Sequence, residues 1–209
     1  MTPFLRRWIF PRWLVSLLVT TLVGCANSPS APTSTAVSIG RGLEVVLPGL
    51  DPTLPKLAAS QLLQGRFGDR QAQLIAALEI NSQRLALALL SPLGVPLLSL
   101  DYDGANLQAD NNGLAPLPFS PANLLLDVML CYWSTAQIEA MLHQAGLRLE
   151  VETNQRRIYN RDDLMITIEY ENHDRWAGRV TFTHWQRDYQ LSIDTLQLTT
   201  DLAEARPEP

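Results

Sequence analysis

Period-two alternation governs most of this chain. Leu74, Ala76, Leu78 and Ile80 occupy every second position, and Leu85, Leu87 and Leu89 repeat the pattern with Ala86 and Ala88 behind them. Successive side chains of a strand point to opposite faces, so this spacing predicts half-buried strands. The pattern returns at Leu147, Leu149 and Val151, at Leu164, Ile166, Ile168 and Tyr170, and at Tyr189, Leu191 and Ile193. Leu196 and Leu198 are out of phase with that last set, which calls for a bulge near Asp194 and Thr195. In the strand before it, Phe182 and His184 share one face, with Thr181, Thr183 and Trp185 on the other.

The alternation is interrupted once. Ser120 followed by Pro121 reads as a helix N-cap and first helical position, and PANLLLDVMLCYW continues with no breaker. Ser134 opens a second helix, with Gln137 placed to complete a capping box. Ile138, Met141, Leu142 and Ala145 then recur at helical spacing, and Gly146 suits the C′ position. Asp103-Gly104 is a two-residue hairpin signal between PLLSLDY and ANLQAD. The Gly- and Pro-rich stretch before Leu57 reads as irregular, with one strand at Leu43 to Leu47. The expected fold class is mainly β with a few α-helices (α+β): about nine antiparallel strands and two short helices within residues 39–202, followed by a polar tail over 203–209.

So many strands present a wide apolar inner surface, and two short helices offer little to cover it. Either the sheet closes and packs, or it curls around the helices and leaves an apolar cavity suited to an acyl chain. In the second case Leu74, Leu78, Leu85, Leu87, Ile166 and Ile168 form the inner wall. Leu125, Val128, Ile138, Met141 and Leu142 then cover it.

A different signal comes from SPLGVP, between two alternating runs. Its Pro and Gly mark a turn, and turns carry polar residues because they face water. Here Pro92, Leu93, Gly94 and Val95 stand at or near the tip. Leu93 either folds back onto the rim of the core or is exposed for contact with an apolar partner.

The N-terminus sets the compartment. Arg6, Arg7 and Arg12 precede an apolar run from Trp13 to Val23, which is shorter than the ~20 residues a spanning helix needs. It fits a secretory h-region. The run ends in LVGC, which resembles the lipobox of bacterial lipoproteins. That resemblance implies a signal peptide over residues 1–24 and acylation of Cys25; an ordinary signal peptide with a chance cysteine is the alternative. Residues 25–38, rich in Ser, Pro, Thr and Ala, read as the lipidated cysteine and a flexible tether. Ala26, where Asp commonly signals inner-membrane retention in proteobacterial lipoproteins, implies the periplasmic side of the outer membrane.

Charge and chemistry narrow the function. The formal charge of −5 becomes −8 once the three leader arginines are removed. An acidic domain is a poor nucleic-acid binder. Cys131 lies in an apolar run and reads as a core residue. His143, His173 and His184 show no metal-ligand spacing, and the chain carries no nucleophile elbow or phosphate-binding loop. His184 reads as a satisfied core histidine. Arg156 and Arg157 either face solvent or pair with Glu150 and Glu152. No cofactor, metal or catalytic residue is expected, and the chain reads as a non-enzyme; an acyl hydrolase acting on bound lipid is the remaining catalytic alternative.

The order of LLQGRF, strands, LSPLG in a strand-to-strand turn, a helical middle and a strand-rich end resembles LolB-type outer-membrane lipoproteins over most of residues 57–199. It is similar, more closely, to a family of LolB-like lipoproteins of unsettled function found with aryl-polyene pigment biosynthesis genes. The resemblance implies a LolA/LolB-like half-open antiparallel β-barrel with a helical lid over an apolar cavity. It implies acyl lipid or lipoprotein as cargo, a LolA-like periplasmic carrier as donor and the outer-membrane bilayer as acceptor. It also implies a membrane-contact role for the leucine of the PLG turn, here Leu93. The short segment after LQAD and the apolar GVPLL depart from the LolB pattern. Since an organism is expected to have its own general LolB, the resemblance leaves room for either a general or a dedicated cargo. A structural lipoprotein that binds a protein partner, its cavity filled by side chains, is the other non-enzymatic reading.

Overall fold

A computed structural model describes residues 35–40, 42–50, 56–111 and 119–200. Cys25 and the signal segment lie outside the described residues, as does the C-terminal tail.

The alternating segments form one antiparallel sheet. Its strands are β3 (Leu57–Phe67), β4 (Arg70–Ile80), β5 (Leu85–Leu90), β6 (Pro96–Tyr102), β7 (Leu107–Asp110), β8 (Arg148–Glu152), β9 (Gln155–Asn160), β10 (Asp163–Tyr170), β11 (Arg179–His184) and β12 (Tyr189–Thr200). Their order is β7-β6-β5-β4-β3-β12-β11-β10-β9-β8. The sheet is open, with β7 and β8 at its edges. β12 pairs with β3 along its whole length, from Tyr189 opposite Phe67 to Thr200 opposite Leu57. The register slips between Thr195 and Gln197. That slip is the expected bulge, and it leaves Leu196 exposed.

Two further strands, β1 (Ala36–Gly40) and β2 (Leu43–Val46), form a separate hairpin. Here the structure corrects the sequence reading: Ala36 to Ser38 are strand rather than tether, and Val37 is buried. A short strand with a distant packing partner leaves little periodicity to read. The strand total among the described residues is twelve rather than about nine. The connection from β6 to β7 also differs from the two-residue turn expected at Asp103-Gly104. Tyr102 pairs with Leu107 across a four-residue loop. The Asp103 carboxylate accepts from the backbone N–H groups of Ala105 and Asn106, at 2.8 and 2.7 Å. That Asx-type closure competes with the tighter turn.

Both helices start where capping predicts. In α1 (Pro121–Tyr132), Ser120 Oγ accepts from the Asn123 backbone N–H at 3.2 Å; in α2 (Thr135–Gln144), Ser134 Oγ accepts from Gln137 N–H at 3.4 Å. Gly146 closes α2 with φ of +72°, a conformation glycine adopts freely. The helices are placed differently. α1 is buried nearly all round, including Leu124, Leu125, Leu126, Met129, Leu130 and Cys131, as expected of a helix apolar on every side. It fills the concavity of the sheet. α2 buries only Ile138, Met141 and Leu142 and so acts as a cover.

Antiparallel pairing sorts the connections into two groups. The turns at 68–69, 91–95, 161–162 and 185–188 lie at one end of the sheet. Those at 81–84, 103–106, 153–154 and 171–178 lie at the other. The β1–β2 hairpin runs between these ends. Tyr102 OH donates to the Pro48 carbonyl at 3.0 Å, and Thr35 O accepts from Leu47 N–H, so the chain enters β1 at the 103–106 end. At the far end of the hairpin, His184 Nε2 lies 3.0 Å from Ile39 O, and Arg187 donates to Ser38 O at 2.8 Å.

Candidate functional site

The apolar concavity beneath the helices is the first candidate. Leu78, Leu85, Leu87, Ile166 and Ile168 are buried on its sheet side and Leu125, Ile138, Met141 and Leu142 on its helix side; Leu74 and Val128 are partly buried against the same core. All eleven expected positions therefore face inward. They do not enclose a large void. Among the described residues, two spaces border this core, of about 20 Å³ each. Each is room for roughly one water, far below the ~300 Å³ of a typical ligand pocket. Leu74 borders one space; Leu87 and Val128 border the other. The remaining eight are packed away from both.

Asp127 of α1 borders both spaces, together with Leu63, Leu124 and Leu191. Tyr189 OH donates to its carboxylate at 2.7 Å. Burial pushes the Asp127 carboxyl up to about 7, against the opposing effects of the Tyr189 hydrogen bond and the Arg187 charge. Nothing in the alternation announced this acid. It follows Leu126 in an apolar run, and the run itself was the signal that it would be buried.

The 91–95 turn is the second candidate. Ser91 N–H donates to Val95 O and Gly94 N–H to Ser91 O, both at 2.9 Å. Gly94 has φ of +79°. This is a three-residue hairpin loop whose left-handed position is filled by glycine. Leu93 is 92% exposed, so it does not fold back onto the rim. Val95 is 44% exposed, and Pro92 is also open to solvent.

His184, Cys131 and Arg156 are buried. Burial, reinforced by Arg187, lowers His184 to about 4, so it is neutral at physiological pH. Cys131 is buried in the core, and its thiol is pushed up by that burial. Arg157 pairs with Glu152 at 2.7 Å. Arg156 is neither solvated nor paired with an acid: it is buried, donating to Leu130 O at 2.6 Å and Trp133 O at 2.7 Å at the end of α1. Its strand position explains this, since Arg156 is in phase with buried Ile158.

Larger depressions lie elsewhere, including one of about 690 Å³ bordered by Gln64, Arg66, Gln71, Arg179 and Gln190. A second, of about 680 Å³ on the outer face, is floored by small side chains, among them Ala58, Ser60, Ala77, Ala86, Ala88 and Ser99. Another of about 320 Å³ lies beside the end of α1 and contains Arg156, Arg175 and Tyr132.

Residues 58–197 match the family described as "Protein of unknown function (DUF3261)". No curated protein sequence matches the chain. Among solved structures, it is similar to a domain from Vibrio parahaemolyticus described as an outer membrane lipoprotein-sorting protein domain. The identity is 9% and the TM-score 0.41, over 72% of this chain and 87% of that one.

Proposed function

For this chain, which belongs to the DUF3261 family of proteins of unknown function, we propose a non-enzymatic role in handling acyl lipid or lipoprotein cargo at the periplasmic face of the outer membrane. One observation carries the reading: a fully presented leucine at the tip of a turn otherwise built like any water-facing hairpin. Burying a leucine side chain contributes about 1.5–3 kcal/mol, which an exposed Leu93 leaves unused until it meets an apolar phase. In this reading Cys25 is acylated, the 91–95 turn touches the bilayer, and the space under α1 receives an acyl chain. A dedicated cargo, which the resemblance to lipoproteins found with aryl-polyene genes leaves open, belongs to the same proposal.

The concavity is closed in this state, so uptake requires α1 to move. Asp127 and the two spaces beside it mark where packing beneath that helix is least complete. The same closure favours a second reading, a structural lipoprotein whose interior stays filled. Uptake of a fluorescent fatty acid separates the two, since a core that never opens takes up none.

Leu93→Glu tests the membrane contact. A charge resists leaving water, so liposome binding by protein lacking Cys25 should fall at least about tenfold. The melting temperature should stay within about 1 °C, because an exposed turn residue supports no core. A large drop in melting temperature with unchanged binding would show that Leu93 serves the rim instead.

A further inference from the structure

Two guanidinium groups converge where α1 hands over to α2. Arg156 donates to Trp133 O at 2.7 Å; Arg175 donates to the same carbonyl at 3.1 Å, and both reach Thr135 Oγ1 at 3.4 Å. Neither forms a salt bridge among the described residues. Two acids border the depression beside them, and both have partners elsewhere. Glu152 accepts from Arg157, and Asp174 accepts from the Trp176 backbone N–H at 3.0 Å. Arg156 Nε is buried with no hydrogen-bond partner.

Buried charges are normally paired, and like charges brought together raise the cost of burial. Burial lowers the Arg156 guanidinium, and the Arg175 charge lowers it further. The carbonyls at the end of α1 supply only partial negative charge. Beside this pair lies the depression of about 320 Å³, bordered by Arg156, Arg175, Tyr132 and Asn172, and by the carboxylates of Glu152 and Asp174. That volume is ample for a phosphate group and lies at the small end of ligand pockets.

Tyr132 connects this depression to the interior. It also borders one of the two small spaces under α1, where its OH accepts from Gln61 Nε2 at 2.8 Å. On its other side its ring stacks on Trp176, with centroids 3.9 Å apart.

We propose that the pocket between the β8–β9 turn and the 171–178 loop binds an oxyanion of the phosphate class through Arg175 and Arg156. Placed across Tyr132 from the interior, it is positioned for the head group of an amphiphile whose chain lies under α1. That extension rests on the lipid-handling reading; the oxyanion site itself does not. The planar fork of arginine matches a phosphate oxygen pair, which a lysine ammonium cannot do.

The test uses the full-length protein released in neutral detergent. Its melting temperature is followed against inorganic phosphate, with chloride at equal ionic strength as the control. A binding anion raises the melting point in a concentration-dependent way. Arg175→Gln should weaken phosphate binding at least about tenfold, since a charge-assisted hydrogen bond is lost. Arg175→Lys keeps the charge without the fork and should weaken it several-fold, which reads the site even if the glutamine variant folds poorly. A phosphate effect that is absent, or undiminished in both variants, overturns the proposal. Native mass spectrometry then identifies the source. Preferential retention of lysophosphatidic acid over monoacylglycerol of the same chain length, lost in Arg175→Gln, identifies a lipid head group. An Arg175-dependent phosphate effect with neither lipid retained upholds the anion site with free phosphate as ligand, and counts against the lipid-handling reading alone.

Discussion

Asp127 shows how one residue couples packing to pH. In an unfolded chain its carboxyl titrates near the ordinary value of about 4; under α1 it titrates at about 7. The folded state therefore binds the proton more tightly. Its contribution to stability is complete below the ordinary carboxyl range and is lost as pH rises through about 7. Asp127→Asn keeps an acceptor for Tyr189 OH and removes the titration. The variant should melt at the same temperature as the parent near pH 4 and a few °C higher at pH 8, measured by scanning calorimetry. Equal melting points at pH 8 would mean the carboxylate finds better solvation than its burial allows. Arg156 has the opposite dependence on its surroundings. Arg156→Leu leaves Leu130 O without its arginine donor and should lower stability by about 2–4 kcal/mol in urea unfolding. The placement of Arg156 was legible in its phase with Ile158, but charge alone argues for solvent. Phase prevailed because the end of α1 supplies acceptors that no local pattern reveals.

Among the elements, those defined by local chemistry were readable. Ser120 and Ser134 cap α1 and α2 through their own backbone neighbours, and most alternating runs became strands with the expected inner faces, whereas in β8 Val151 is left exposed. Ser120→Ala and Ser134→Ala should each cost about 1 kcal/mol, read from denaturant midpoints. The bulge in β12 was visible because Leu196 and Leu198 broke phase. The β1–β2 hairpin was only half visible, since its partners are α1, α2 and the ends of the sheet. The size of the interior was not readable at all. Whether eleven inward residues enclose a cavity depends on how deeply α1 sinks between them, which summed side-chain volume decides and periodicity does not. α1 is buried on nearly every side, and it fills the concavity rather than roofing it.

For the whole molecule, the open sheet leaves β7 and β8 as edges. Charged residues on β8 and β9, including the Arg157–Glu152 pair, lie along one of them, a common protection against further strand addition. The placement of the β1–β2 hairpin has a consequence for reach. The chain enters β1 at the 103–106 end, while Leu93 projects from the opposite end. From Pro96 to Tyr102 alone β6 spans roughly 20 Å. The backbone from Cys25 to Thr35 can cover at most roughly 35 Å. If acyl chains at Cys25 are held in the leaflet that Leu93 is proposed to touch, the intervening chain must run back past the length of the domain, with little slack. Deleting residues 27–32 would leave at most roughly 14 Å, too short for that path. Such a protein should stay anchored and folded, yet a spin label at position 93 should lose its contact with lipid. Restoring the length with any unrelated polar sequence should bring the contact back, the outcome expected of a spacer that serves as a ruler whose letters matter less than their number.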